Sequence, residues 1–190
     1  PTAVSGNTVS YDSQKGRNIL SLNFGLTKIT GVLTAAGTYS CSSIAPGDKP
    51  KIEVSGELFD TESEGIEKFL GYNCDVWADD DDVRAVYKRP VNKAVTFSGD
   101  NVTEVSESYV KIKKDDRISE SYKLSSDFTF VKNGRLFAYN KQDLNIESAD
   151  YTLIDNNGDG KYEIAVADIP EYIVVSGINY SQKAIYDSTS

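Results

Sequence analysis

The sequence predicts a mainly β protein: an antiparallel sandwich or barrel with one short helix at about 62–70, divided into two lobes. Three observations point there. Apolar residues alternate at period two in many short segments. Those segments are rich in β-branched and aromatic residues. Gly, Asn and Asp cluster between them, where tight turns need such residues. The chain has 190 residues, enough for one large domain or two small ones, and 39% of them are hydrophobic.

The elements follow in order. Segments 17–24 (RNILSLNF) and 27–35 (TKITGVLTA) alternate around Gly25, and 50–55 (PKIEVS) repeats the pattern. Thr61-Glu62-Ser63-Glu64 then reads as a capping box, with Thr61 as N-cap and Glu64 reaching back. Ile66, Phe69 and Leu70 fall on one face of the helix, and Gly71 ends it in the left-handed conformation. Strands return at 71–77 (GYNCDVW), 83–88 (VRAVYK), 92–97 (NKAVTF), 108–113 (YVKIKK), 127–132 (DFTFVK) and 135–139 (RLFAY). Asn133-Gly134 is the clearest two-residue hairpin turn, because both positions need positive φ. The run Asp79–Asp82 fits a solvated hairpin tip. Residues 141–147 carry a single helical turn, and strands at 150–155, 161–167 and 171–178 close the chain. The polar stretch 97–107 (FSGDNVTEVSE) is the expected boundary, giving lobes 1–98 and 99–190, or one intertwined unit.

Composition excludes several chemistries. There is no His, which removes Ser-His-Asp and Cys-His catalysis and His-ligated metals. A net charge of −9 disfavours nucleic acid and anionic membranes, and no apolar run is long enough to span a bilayer. There is no Met, even at position 1, as expected of a processed product or an excised piece. Cys41 and Cys74 are too far apart for a CxxC motif. Cys74 alternates with Tyr72 and Val76 and reads as a small core residue. Whether it pairs with Cys41 is left open by the sequence. No phosphate-binding glycine motif is present. With 29 carboxylates, some acidic pair is certain to exist and carries no information, so no enzyme is expected. Asp75, Glu53 and Asp79–Asp82 read as solvent-facing.

The sharpest motif is Asp155-Asn156-Asn157-Gly158-Asp159-Gly160-Lys161-Tyr162-Glu163. Asp155, Asn157, Asp159 and Glu163 place side-chain oxygens at positions one, three, five and nine. Lys161, at position seven, offers its backbone carbonyl. Calcium takes 6–8 oxygen ligands, and the two glycines let the loop curl until such oxygens converge. It is no EF-hand, because position twelve is Val166 and the flanks are strand-like. The same residues also suit a plain tight hairpin. A second pattern is aromatic: Trp77, Tyr72 and Tyr87 are the candidates for a glycan-stacking face, against the commoner role of such rings as core or cross-strand partners.

Three stretches carry a resemblance. They are Phe69-Leu70-Gly71-Tyr72-Asn73-Cys74-Asp75-Val76-Trp77 with Val83–Tyr87 after an acidic turn, Asn92–Phe97, and Tyr151–Glu163 followed by Tyr172–Val175. Together they resemble a β-rich module of large S-layer-homology-type surface proteins of Gram-positive bacteria and of virion (tail and baseplate) proteins of their phages. The resemblance spans about 17–187. Glu163 stands where the pattern has Asp, and Cys74 where it has Val. It implies a non-catalytic structural or assembly module at a virion or bacterial cell surface, contacting neighbouring subunits or modules, with calcium as a candidate ligand of the acidic hairpin. The alternative is a carbohydrate- or receptor-binding module of such a protein.

Overall fold

The computed structural model describes residues 11–12, 17–18, 23–41, 50–62, 64–79, 82–115, 117–170, 175–181 and 184–187. The protein is mainly β, as the alternation predicts. A small ribbon pairs β1 (Tyr11–Asp12) with β2 (Arg17–Asn18). Then come β3 (Thr27–Gly37), β4 (Tyr39–Ser40), β5 (Lys51–Val54), β6 (Glu57–Asp60), β7 (Asn73–Asp79) and β8 (Asp82–Lys88). They are followed by β9 (Lys93–Ser98), β10 (Val102–Val105), β11 (Tyr109–Lys113), β12 (Ser119–Lys132), β13 (Arg135–Phe137), β14 (Asp150–Asp155) and β15 (Lys161–Asp168). A last ribbon pairs β16 (Val175–Asn179) with β17 (Ala184–Asp187).

The pairings close two rings. In the first, the early half of β3 pairs with β7 and its late half with β5. β5 pairs with β6, β7 with β8, and β6 meets β8 in parallel at the single bridge Asp60 to Asp82. This is a five-stranded, partly open Greek-key barrel with the connectivity of the OB type. The second ring repeats it. β9 and β10 act as one bent strand, β9 pairing with β14 and β10 with β11. β11 pairs with β12, β14 with β15, and β12 runs parallel to β15. Each barrel carries a 3-10 turn between its third and fourth strands: Ile66–Phe69 in the first, Lys141–Leu144 in the second. The chain is thus a topological duplication, which the sequence does not reveal as a repeat. β4 bridges to β13 and joins both rings into one 13-stranded sheet.

The lobe boundary therefore falls at 89–92, not at 98/99. The stretch 97–107 lies inside the second barrel, as a kinked strand. Ser98 accepts a hydrogen bond from the Asp100 backbone N–H at 3.4 Å, and Gly99 turns the chain against Ile146, whose carbonyl oxygen stands 1.8 Å from where a Cβ would be. What reads as linker chemistry is bend chemistry.

Each barrel has its own core. Leu33, Ile52, Val54, Phe59, Cys74 and Val76 fill the first, while Val110, Ile112, Leu124, Phe130, Tyr151 and Leu153 fill the second. The cores are not independent. Val131, Ile154 and Ile164 belong to strands of the second barrel, yet they point outward from it and pack into the first core. Gly71 fits against Ile154 and Ile164 there; a Cβ would lie 3.2 Å from each.

Other expectations are refined. The helix at 62–70 shrinks to the 3-10 turn Ile66–Phe69, and its capping box does not form: the cap is Gly65, at φ 68°. Thr61 is held instead in the run of β6 by its N–H to the Pro50 carbonyl at 3.2 Å. Ile66 and Leu70 still reach the core, and Gly71 takes the predicted positive φ of 80°. Asn133 (φ 47°) and Gly134 (φ 74°) form the expected hairpin turn, with Lys132 opposite Arg135. The turn at 141–147 is present as Lys141–Leu144, with a capping box between Asn140 and Asp143. Of the strand expected at 17–24, Arg17–Asn18 is strand, Asn23 and Phe24 are helical, and 19–22 lie outside the described residues. So do 171–174 of the last expected strand and Asp80–Asp81 of the acidic tip. Glu53, expected to face solvent, is buried. No helix among the described residues is long and apolar enough to cross a membrane.

Candidate metal centre

β14 and β15 pair from Asp150–Asp168 to Ile154–Ile164, and the connection at their open end is the 155–160 loop. Gly158 (φ 79°) and Gly160 (φ 85°) turn the chain back on itself. Asp155 sits at the base and is completely buried. Its carboxylate accepts backbone N–H groups from Asn157 (3.2 Å), Gly158 (2.5 Å) and Gly160 (2.9 Å). The Asn157 side-chain oxygen accepts the Asp159 N–H at 2.8 Å, and Asp159 accepts the Lys161 N–H at 2.7 Å. Successive side chains thus satisfy the loop backbone two residues on, the Asx pattern that suits Asn and Asp at turns.

Glu163 reaches back from β15. One oxygen accepts the Asn156 N–H at 2.8 Å, the other the Asn157 side-chain amide at 2.9 Å. Burial pushes its carboxyl above the usual range; two backbone hydrogen bonds work against that, and the charges of Asp155 and Asp159 add to it. Oxygens of Asp155, Asp159 and Glu163 all lie within 4.8 Å of one another. Oxygens sharing a calcium ion at 2.3–2.6 Å stand at most about 5 Å apart, so the spacing fits a hard cation, as does the all-oxygen donor set. Loading would require the Asn157 amide to turn, because its NH₂ now faces Glu163.

Of the five predicted ligands, then, the structure brings together three carboxylates, with Asn157 beside them. Lys161 begins β15 and enters the loop only through its backbone, its side chain being exposed.

Two residues of this region were not legible in the motif. Asn156 is buried, and its side chain leaves the loop for the first barrel: its oxygen accepts the Asn73 N–H at 2.8 Å, and its amide donates to the Gly71 carbonyl at 2.9 Å. Asn92 in turn donates to the Asn73 carbonyl at 2.7 Å. Lys93, opposite Asp155 on β9, donates to the Gly158 carbonyl at 3.1 Å. The hairpin is therefore pinned at the seam between the barrels. The available signal was an amide between two turn formers, which reads equally well as loop filler.

The three glycan candidates do not form one exposed platform. Trp77 is only 4% exposed, with the Lys28 ammonium 5.7 Å from its ring centre. Tyr72 is half-buried under Lys88, whose nitrogen is 3.3 Å from the ring centre, and burial raises its phenol pKa. Tyr87 alone is exposed. Trp77 takes the core role that such rings more commonly have, because both faces of β7 are covered at its far end. Cys41 and Cys74 are free, buried thiols, and burial pushes each up to about 12. Cys74 is the core residue its alternation predicts.

Compared with protein-family models, curated proteins and solved structures, the chain matches none.

Proposed function

We propose that this chain is a non-catalytic structural module of an extracellular assembly, at a virion or bacterial surface, with a seam stiffened by calcium at the 155–163 hairpin. The observation that carries the reading is the convergence of the Asp155, Asp159 and Glu163 oxygens within 4.8 Å, on a loop that Asn156 ties to the other barrel. An ion there would neutralise three crowded carboxylates and fix the loop that joins the two cores. The resemblance of residues 17–187 to surface and virion modules supports the setting. The OB-type connectivity adds no ligand, since one fold hosts many functions.

The test is a thermal melt in chelator and across a calcium series, with magnesium as control. A ligand at 100 times its Kd stabilises the native state by about 2.7 kcal/mol, roughly 5–10 °C for a chain of this size. The expected result is a calcium-specific rise that Asp155→Ala or Asp159→Ala abolishes. No rise up to about 10 mM calcium, or an equal rise in both variants, overturns the metal assignment.

A further inference from the structure

The chain holds two Asn-Gly dipeptides, Asn133-Gly134 and Asn157-Gly158. Asn-Gly is the sequence at which an asparagine most readily loses its side-chain amide. The backbone nitrogen of the following residue attacks the side-chain carbonyl carbon, and glycine has no side chain to obstruct the approach. By sequence the two dipeptides rank alike. The fold separates them.

Asn133 is clamped to another segment. Its Oδ1 accepts the Ile169 N–H at 2.8 Å, and its amide donates to the Ile169 carbonyl at 3.0 Å. The residue is half-buried, and Gly134 is buried against the Tyr39 ring. The clamp holds the side chain on Ile169 rather than over the Gly134 peptide.

Asn157 is exposed, and its side chain folds back on its own loop. Its Oδ1 accepts the Asp159 N–H at 2.8 Å, an Asx turn that lays the carboxamide over the intervening Gly158 peptide. Asp155 accepts the Gly158 N–H at 2.5 Å, so a carboxylate stands where the proton of the attacking nitrogen must go. The Asp159 N–H is already on the oxygen that becomes negative as the carbon turns tetrahedral. Nδ2, the atom that leaves, donates to Glu163 at 2.9 Å in a solvent-exposed contact. Nucleophile, proton acceptor and oxyanion donor thus converge on one side chain.

We propose that Asn157 is a self-modification site, at which the loop converts its own asparagine to aspartate or isoaspartate while Asn133 is spared. The bond from the Gly158 nitrogen to Asn157 Cγ forms and the Cγ–Nδ2 bond breaks. Ammonia leaves with the Gly158 proton, and a succinimide remains. Water then cleaves one of the two imide bonds. Cleavage at Cγ gives aspartate; cleavage at the backbone carbonyl gives isoaspartate. No oxidant or cofactor is needed. Either product puts a fourth carboxylate beside Asp155, Asp159 and Glu163. The consequence for calcium, and that alone, rests on the metal reading: the aspartate form carries carboxylates at positions one, three and five of the loop, and ligand charge tunes calcium affinity.

Incubation of the intact wild-type chain at neutral pH, followed by peptide mass mapping, tests it. The folded chain is expected to show the mass change of amide loss in the peptide that holds Asn157 and to keep Asn133 unchanged. In urea, where the fold no longer discriminates, both convert. A folded chain in which Asn157 survives as long as Asn133, or in which both convert at their urea rates, overturns the proposal. Asp155→Asn replaces the proton acceptor with a side chain of the same shape, and is expected to slow the conversion of Asn157 several-fold. An unchanged rate in the folded variant overturns the part given to Asp155, and the wild-type comparison decides the site even where this variant does not fold. Asn157→Asp supplies the aspartate product directly and is expected to gain more stability from calcium than the fresh wild type. If neither protein responds to calcium, the metal assignment fails while the mass change still reads the modification, so the two fail separately.

Discussion

Removing the Asn156 side chain tests whether the hairpin is fastened to the first barrel. Asn156→Ala takes away an acceptor 2.8 Å from the Asn73 N–H and a donor 2.9 Å from the Gly71 carbonyl. The side chain is 7% exposed, so water has poor access to both orphaned groups. A buried polar group left without a partner costs about 1–3 kcal/mol, so two cost roughly 2–5 kcal/mol. At about 2–4 °C per kcal/mol for this chain length, the expected fall in Tm is roughly 5–15 °C. Circular dichroism melts and urea titrations measure it. Hydrogen exchange locates it, because the Asn73 amide should lose protection more than the amides in the middle of β5. Asn156→Asp is the companion variant: it keeps the acceptor for Asn73 but points a carboxylate at the Gly71 carbonyl, and it should also destabilise. A loss under about 0.5 kcal/mol in Asn156→Ala, with Asn73 protection unchanged, would falsify the idea that this side chain joins the barrels.

Two further outcomes follow from the same seam. Glu163 has a folded-state pKa above its ordinary value, raised first by burial and then by Asp155 and Asp159, so its contribution to metal-free stability is full at low pH and is lost as pH rises through that raised pKa. Metal-free Glu163→Gln should therefore lose less stability than wild type between about pH 4 and pH 7, and calcium affinity of the wild type should weaken as pH falls through the same range; parallel pH profiles for the two proteins would refute it. Ile164 belongs to the second barrel but packs in the first core, so Ile164→Ala should cost about 2–4 kcal/mol and lower the melting of the single Trp77, which lies in the first barrel, together with the circular dichroism signal. A Trp77 transition left in place while the rest shifts would show that the cores unfold separately.

What the sequence made legible was what one strand can announce alone. β9, β14 and β15 lie within one or two residues of their predicted ends. The Asn133-Gly134 turn and the positive φ of Gly71 followed from local chemistry. The misses involve information held by partners. The first part of β12 reads SESYKLSS, with only Tyr122 and Leu124 turned to the core, and it becomes strand because β11 pairs with it. The helix at 62–70 had a good local signature, but Gly65 and the pull of Pro50 on Thr61 confined it to one 3-10 turn. The boundary was misplaced because a bend inside a strand uses the same Ser, Gly and Asp as a linker. At the metal loop, the carboxylates were legible from spacing. The role of Asn156 was not, since its partners lie 83 and 85 residues away.

The duplication sharpens the meaning of that loop. The β7–β8 and β14–β15 hairpins hold the same place in their barrels, between the fourth and fifth strands, and both tips are acidic. They meet the resulting repulsion differently. In the first, Arg84 reaches back to Asp79 at 2.8 Å and Asp82 at 3.4 Å, and all three side chains remain largely in water. A surface arrangement of this kind is worth little in stability. In the second, no basic side chain bridges the three carboxylates among the described residues, Asp155 is fully buried, and its charge is met by three backbone N–H groups. Those donors stabilise Asp155 but leave the charges of Asp155 and Asp159 facing Glu163, where they add to a rise in its carboxyl pKa that burial chiefly sets. A divalent cation is what would relieve that repulsion, and the benefit would reach both cores, because the neighbouring residue of the loop is the one that grips the other barrel.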